Sequence, residues 1–493
     1  MLEQKGPVRS GKVRRVIVQP KRRKLEETPA TDQEMKSSAP TIDVNKIPVS
    51  SENFLDIINK KMVYVDKTDV IHDMLEFSSS IFIARPRKFG KSLILEIMLH
   101  ILEGSKHLFE GLKICTNRER EWTKHAVFRF NFAQNAGDVV VHLILGIEDV
   151  CNKYGITVEQ MNESFKLKTV LLEFNRVVNT LTNQGCKIAV LVDEYDIPIV
   201  KYIEKDHTEE ELLQIKNNSE LLSQFFNEVK NNRNVSKFIV TGVAKFTKTL
   251  HFSAANHLKD VSSLPLTSTL YGYTREDLKT YFSDYLEALA CKKGQSVSKL
   301  IDDIVEYYNG YCFSFSSDAT VLNPFDINEL LKEQSTQFKP YWIRHGRPTY
   351  IGEKPWAECV DIASWKDTSI SETNFDRFEP VSISSNTFIP GPFLVQLGLL
   401  TICKKGNGYY LDFPNMEVKS TFIEALVEKN KEHLMLEHAR VCQEYIRSND
   451  SDGFADQLKS FFTCLPYAHT WRIVKFEAYY HTCLYKANVS YGV

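Results

Sequence analysis

Short apolar runs alternate with longer stretches of helical spacing through the first half of this chain. Ser80–Ala84, Ala126–Phe132, Lys187–Asp193 and Lys237–Gly242 read as strands. Between them, Lys91 to Leu102, about Val139–Cys151, about Val158–Asn183 and about Glu209–Lys230 carry apolar residues every three or four positions, as helices do. Ile188-Ala189-Val190-Leu191-Val192 has no polar face, which suits a strand covered on both sides. Strands alternating with helices predict an α/β fold around a parallel sheet. Upstream, Met62–Thr68 reads as a short strand or turn that leads into an amphipathic helix.

After Gly272 the spacing is mainly helical, over Arg275–Ala290, Ser296–Tyr308 and Asp326–Leu331. Residues 349–390 are polar and irregular. Phe393–Ile402 followed by Gly406–Leu411 reads as an amphipathic helix and a β-hairpin, a winged-helix-like pair. It lacks a basic run, so packing is its expected role. A long helical pattern, about Glu417–Arg447, leads through a polar break to a last aromatic-rich segment. The expected division is a disordered basic tail over 1–45, an α/β core over 46–272, a helical lid and winged-helix-like region over 273–415, and a helical linker with the start of a further domain over 416–493.

Composition alters this picture little. The 493 residues, 43% hydrophobic and 25% charged, suit an ordinary globular protein of two or three domains. No apolar run approaches the length of a membrane span, and the N-terminus has no apolar core of a secretory signal. Ten scattered cysteines without a CxxC pair fit reduced thiols of the cytosol or nucleus. Charge is more informative. Residues 1–24 carry nine Lys/Arg against one Glu, a balance of +8, so a net charge of −2 leaves about −10 for the remainder. Lys12-Val13-Arg14-Arg15 and Pro20-Lys21-Arg22-Arg23-Lys24 read as a nuclear localisation signal for an import receptor, with a nucleic-acid patch or a solvated tail as alternatives.

The candidate chemistry lies at two strand ends. The first apolar run stops in Arg85-Pro86-Arg87-Lys88-Phe89-Gly90-Lys91-Ser92, and a helical pattern opens at Lys91. That is the plan of a phosphate-binding loop: helix N-terminal amides face an anion, Lys91 reaches the outer phosphates, and the Ser92 hydroxyl holds Mg2+. The loop departs from G-x-x-x-x-G-K-[ST] by having Arg85 where the first glycine belongs. About a hundred residues on, the buried run ends in Asp193-Glu194-Tyr195-Asp196. Asp193 is placed to assist Mg2+ and Glu194 to polarise an attacking water; the alternative is a solvated acidic turn. Thr241, ending the next apolar run, could sense a terminal phosphate or simply cap its strand.

With these motifs in place, the chain resembles the AAA-ATPase-like family, whose members often carry a C-terminal PD-(D/E)XK nuclease domain. The resemblance rests on Tyr64-Val65-Asp66-Lys67-Thr68, the Arg85–Ser92 loop, Asp193-Glu194-Tyr195-Asp196 and Thr241-Gly242-Val243-Ala244-Lys245-Phe246, in that order. It continues through Tyr271-Gly272-Tyr273-Thr274, Tyr307-Tyr308-Asn309-Gly310-Tyr311, Asn323-Pro324-Phe325, Tyr341-Trp342 and Phe413–Val418, and spans about 47–487. It implies ATP as ligand with Mg2+, and a loop that begins Arg-Pro-Arg, in which Arg85 or Arg87 offers phosphate contacts in place of glycine amides. It also implies a helical lid, for which Arg275, Arg344 and Arg347 are candidate phosphate-sensing or trans-acting arginines, with surface charge as the alternative. Assembly as a homo-oligomer is common in this broad class. The segment 461–485 resembles the first helix of the nuclease domain, with Glu477 at its acidic position. No Asp and Asp/Glu-x-Lys pair follows before Val493, so this chain alone is not expected to cut nucleic acid.

The resulting expectation is an ATP-binding and ATP-hydrolysing nuclear protein. A P-loop scaffold without turnover, meeting nucleic acid or protein partners through its basic tail, is the alternative. A nuclease part supplied by a longer chain or by a partner is a third.

Overall fold

The computed structural model of the protein describes residues 40–49, 53–116, 121–133, 138–157, 166–200, 209–245, 257–346, 369–371, 391–406 and 408–421, with isolated positions between 441 and 457. The basic clusters within 12–24, Arg347, the irregular stretch at 349–390 apart from 369–371, most of the helical pattern after 421, and Glu477 lie outside the described residues.

Helices α1 (Phe54–Asn59) and α2 (Thr68–Phe77) precede strand β1 (Ser80–Ala84). Helix α3 (Lys91–Leu102) and the single turn α4 (Lys113–Thr116) lead to β2 (His125–Asn131). Helices α5 (Val139–Tyr154) and α6 (Leu167–Asn183) lead to β3 (Lys187–Asp193), and α7 (Ile197–Val200) and α8 (Glu209–Asn231) to β4 (Val235–Gly242). A two-residue β5 (Lys259–Asp260) follows. All five strands are parallel, in the order β2-β3-β4-β1-β5.

Strand alternation divides the apolar residues between two faces. Phe82, Phe128, Phe130, Val190, Val192 and Val240 pack with Leu143, Phe174, Phe225 and other residues of α5, α6 and α8. Ile81, Ile83, Val127, Ala189, Leu191 and Ile239 pack with Ile94, Leu95, Met98 and Met74 of α3 and α2. The expected α/β architecture, a parallel sheet flanked by helices, is what forms. Because β4 enters between β1 and β3, the loop after β1 and the acids after β3 stand two strand spacings apart, about 10 Å.

The remainder is mainly helical, with α9 (Arg275–Tyr281), α10 (Ser283–Lys293), α11 (Val297–Tyr308), α12 (Pro324–Glu333) and α13 (Tyr341–Gly346). Leu278, Leu289, Ile301, Ile304, Ile327 and Leu330 bury a core of their own, which also takes in Ile47 and Val65 from before the sheet. The single helix expected over Arg275–Ala290 is broken at Phe282, whose φ of −122° leaves the helical region. Next come α14 (Gly391–Gln396) and an antiparallel hairpin of β6 (Thr401–Lys405) and β7 (Gly408–Asp412). Here the helix is shorter than the spacing implied. Gly398, at φ 80°, ends it and faces Pro86, where a Cβ would stand 2.9 Å from that ring. Met62–Lys67 forms no strand; it crosses as irregular chain, with Val63 N–H donating to the Lys46 carbonyl and Lys113 N–H to Asp66 Oδ2. Among the described residues no helix is long and apolar enough to cross a membrane.

Candidate functional site

The chain turns from β1 into α3 through two left-handed residues, Lys88 (φ 67°) and Gly90 (φ 81°). Glycine takes that conformation freely, while a lysine there is strained. Gly90 caps α3 without a side chain, so the first amides of the helix are left facing outward. A Cβ at Gly90 would meet nothing within 4 Å, so the loop opens into space and not into packed protein. That space is a cavity of about 760 Å3, walled by Arg87, Lys88, Gly90, Lys91, Ser92 and Glu194 on one side. Val49, Ile57, Val63 and Tyr273 make an apolar wall at another part of it.

Lys91 is buried, and its Nζ lies 3.3 Å from the Pro86 carbonyl and 3.3 Å from Glu194 Oε1. Glu194 sits just past the end of β3 with φ 52°, a strained position for a side chain other than glycine or asparagine. Its Oε2 is buried without a donor. Asp193 is fully buried: Oδ1 accepts from the Thr241 hydroxyl at 2.6 Å, and Oδ2 has no donor. Asp196 Oδ2 accepts from the amides of Val243 (3.0 Å) and Ala244 (2.8 Å), which ties the end of β4 to the acidic turn. Burial, then the charge of Glu194, pushes the Asp196 carboxyl above its usual range. Gly242 is needed there, because a Cβ would stand 2.6 Å from both Asp196 Oδ1 and the Tyr195 ring.

The loop residues divide into those facing the cavity and those anchoring the loop. Ser92 is exposed to the cavity and Arg87 lines it. Phe89 also reaches its wall, but its ring is locked edge-on against Tyr311 (4.9 Å) and Phe313 (5.4 Å). Pro86 packs under Gly398. Lys88 Nζ lies 5.1 Å above the ring of Phe325 on α12.

Arg85 departs from expectation. Its guanidinium is 1% exposed, stacks over Phe313 (4.3 Å) and Tyr271 (5.1 Å), and donates to the carbonyls of Ala84 (2.8 Å) and Thr267 (3.1 Å). It does not line the cavity, whereas Arg87, the other arginine expected to meet phosphate, does; the Arg85 side chain pins the loop to the segment before α9. Burial lowers its pKa to about 10, which still leaves it charged at neutral pH.

Of the three lid arginines, Arg275 pairs with Asp302 and Arg344 is exposed, and neither lines the cavity. Thr241 bonds Asp193 and likewise does not border the cavity. Two contributors escaped the sequence reading. Lys67 lines the cavity and pairs with Asp277 of α9 at 2.7 Å, which fastens the irregular crossing to the helical region after the sheet. Arg129 lines it from β2; its signal was a charged residue inside the alternating run Phe128-Arg129-Phe130.

A buried lysine at the N-terminus of a helix that follows a buried strand, facing acids two strands away, is the arrangement of a P-loop NTPase. Residues 48–252 match the family model described as predicted AAA-ATPase, and this part of the chain is an AAA-ATPase-like domain. Over 469 residues the chain is 27% identical to the uncharacterized protein in the vnfD 5' region of Azotobacter chroococcum mcd 1, covering 91% of this chain and 83% of that one. Among solved structures it is similar to the Walker-type ATPase PABY2304 of Pyrococcus abyssi, at 12% identity and TM-score 0.36, over 74% of this chain and 96% of that one. It is also similar to the Aeropyrum pernix ORC1 protein in complex with DNA, at 11% identity and TM-score 0.28, over 75% and 94%.

Proposed function

We propose that the cavity beside Arg87–Ser92 binds ATP with Mg2+ and that the protein hydrolyses it. The supporting observation is the Lys91 ammonium, held at 3.3 Å by one carbonyl and by Glu194 at the open N-terminus of α3. Arriving phosphate oxygens would take the place of both partners and bring more negative charge than either. The exchange frees Glu194. Its carboxylate then orients a water and takes a proton from it as the water oxygen bonds to the terminal phosphorus and the bond to the bridging oxygen breaks, leaving ADP and phosphate.

Asp193 Oδ2, buried without a donor just outside the cavity lining, and the exposed Ser92 hydroxyl are the side-chain oxygens that would hold a cation. Mg2+ held by them would supply charge neutralisation on the phosphates. Among the described residues no three His, Cys, Asp or Glu side chains group as a metal site, which suits an ion that takes most of its ligands from phosphate and water. The apolar wall at Val49, Ile57, Val63 and Tyr273 suits the base.

The test is Mg2+-dependent ATP binding and turnover by the purified chain, with Lys91→Ala and Glu194→Gln alongside. The wild type should turn over, Lys91→Ala should lose binding, and Glu194→Gln should bind without turnover. A wild type that neither binds nor hydrolyses ATP would leave the P-loop fold as an interaction scaffold. Nuclear delivery through Lys12–Lys24, contact of that tail with nucleic acid, and assembly into a homo-oligomer belong to the same proposal. Replacing Lys21, Arg22, Arg23 and Lys24 with alanine should move a tagged chain out of the nucleus; an unchanged distribution would refute the signal.

A further inference from the structure

Arg129 has no role in the site as described above. On β2, Phe128 and Phe130 turn to one face of the sheet, where they meet Phe174 and Phe225, each at 5.1 Å. Arg129 must therefore turn to the opposite face, the one covered by α3. Its neighbours on that face, Val127, Ala189 and Leu191, are the aliphatic side chains that packing alone calls for. Arg129 instead brings a charged side chain to the wall of the cavity that Glu194 and Ile197 also line. Arg129 is half-buried, its Nε is buried without a hydrogen-bond partner, and Glu194 gives Oε1 to Lys91 while its Oε2 has no donor. An N–H that loses water without gaining an acceptor is destabilising, and the rest of the guanidinium stays open to the cavity. Such a group is explained by an anion that occupies the cavity.

We infer that Arg129 is a catalytic residue that binds the terminal phosphate of the nucleoside triphosphate. This rests on the nucleotide reading above and adds a residue to it. The sheet order decides which phosphate is involved. β2 flanks β3 on the side away from β4 and β1, so Lys91 and Arg129 approach the end of β3 from opposite sides. A phosphate chain that begins at the loop and ends at Glu194 presents its last phosphate to Arg129, while the inner ones stay at the amides of α3. A planar guanidinium fork matches the phosphoryl oxygens, on which charge rests as the bridging bond breaks.

Full-length wild type, Arg129→Gln and Arg129→Lys would be titrated with MgATP and with MgADP, and kcat measured. Arg129→Gln should weaken ATP binding about 10- to 100-fold while ADP binding stays within about twofold. Turnover should fall, and Arg129→Lys should recover part of both losses. Equal losses for ATP and ADP, or no loss for either, would overturn the assignment. Arg129→Leu without nucleotide is the control for folding: it should melt no lower than wild type, and a much lower melting point would make Arg129 a structural residue. If wild type binds neither nucleotide, the nucleotide reading falls and this one with it; if wild type binds ATP and Arg129→Gln binds it equally well, only this one falls.

Discussion

The indole of Trp342 donates from Nε1 to the carbonyl of Arg87 at 2.9 Å, which joins α13 directly to the phosphate loop. Trp342 is fully buried beside Tyr311. The first two free amides of its own segment are also held: Trp342 N–H donates to Asp326 Oδ1 at 2.7 Å and Ile343 N–H to Glu417 Oε1 at 3.2 Å. The loop's shape is thus set partly by side chains more than two hundred residues away.

Trp342→Phe keeps the ring packing and removes the donor. The Arg87 carbonyl is then left to find water, and the loop should lose about 1 kcal/mol of its preference for the present shape. Nucleotide affinity should drop about fivefold with little change in secondary structure, as read by titration and circular dichroism. An unchanged affinity would mean that the link does not hold the loop.

Arg85→Met separates anchoring from phosphate binding. The variant takes the guanidinium donor from the Ala84 and Thr267 carbonyls, the latter keeping the Leu270 amide at 3.3 Å, and stability in denaturant should fall by about 2 kcal/mol. Nucleotide affinity of the folded variant should stay within about twofold. A large loss of affinity at unchanged stability would return Arg85 to the phosphates.

Asp326 and Glu417 are both buried, each with one oxygen lacking a donor, and burial followed by mutual repulsion raises Asp326 while burial raises Glu417. A proton shared by the pair satisfies both. Tyr308, Tyr311 and Glu329 are the other titratable groups around it. Unfolded carboxyls release their protons from about pH 4.5 upward, while the folded pair keeps one. Stability therefore falls as pH rises above that value, until the folded pair ionises. The melting temperature should drop by several degrees between about pH 5 and about pH 8. Glu417→Gln, which supplies its own donor to Asp326, should flatten that slope.

Gly310 takes φ 118°, and a Cβ there would stand 1.8 Å from the Pro414 carbonyl oxygen. Its own carbonyl accepts from the Thr401 hydroxyl, and Asn415 Nδ2 donates to the Tyr308 carbonyl nearby. Gly310→Ala sets backbone against backbone and should lower stability by about 3 kcal/mol, measured by denaturant unfolding. A variant as stable as wild type would show that 414–415 can withdraw from the end of α11.

Local pattern determined a good deal here. The apolar run of β3 has no polar face, so it had to lie inside a sheet, and the loop before Lys91 had to open a helix; both needed only neighbouring residues. For the same reason Lys91, Ser92, Asp193 and Glu194 could be singled out by their places at two strand ends, and the fold brings Lys91, Ser92 and Glu194 to one cavity. Tertiary structure decided the rest, because it depends on residues far apart in the chain. β4 entered between β1 and β3, which put Thr241 on Asp193. Phe313, Tyr271 and the Thr267 carbonyl drew Arg85 away from the cavity. The break at Gly398 followed from its approach to Pro86. Alternation along β2 set the face on which Arg129 lies, and only the tertiary fold made that face at Arg129 the wall of the cavity that Glu194 also lines.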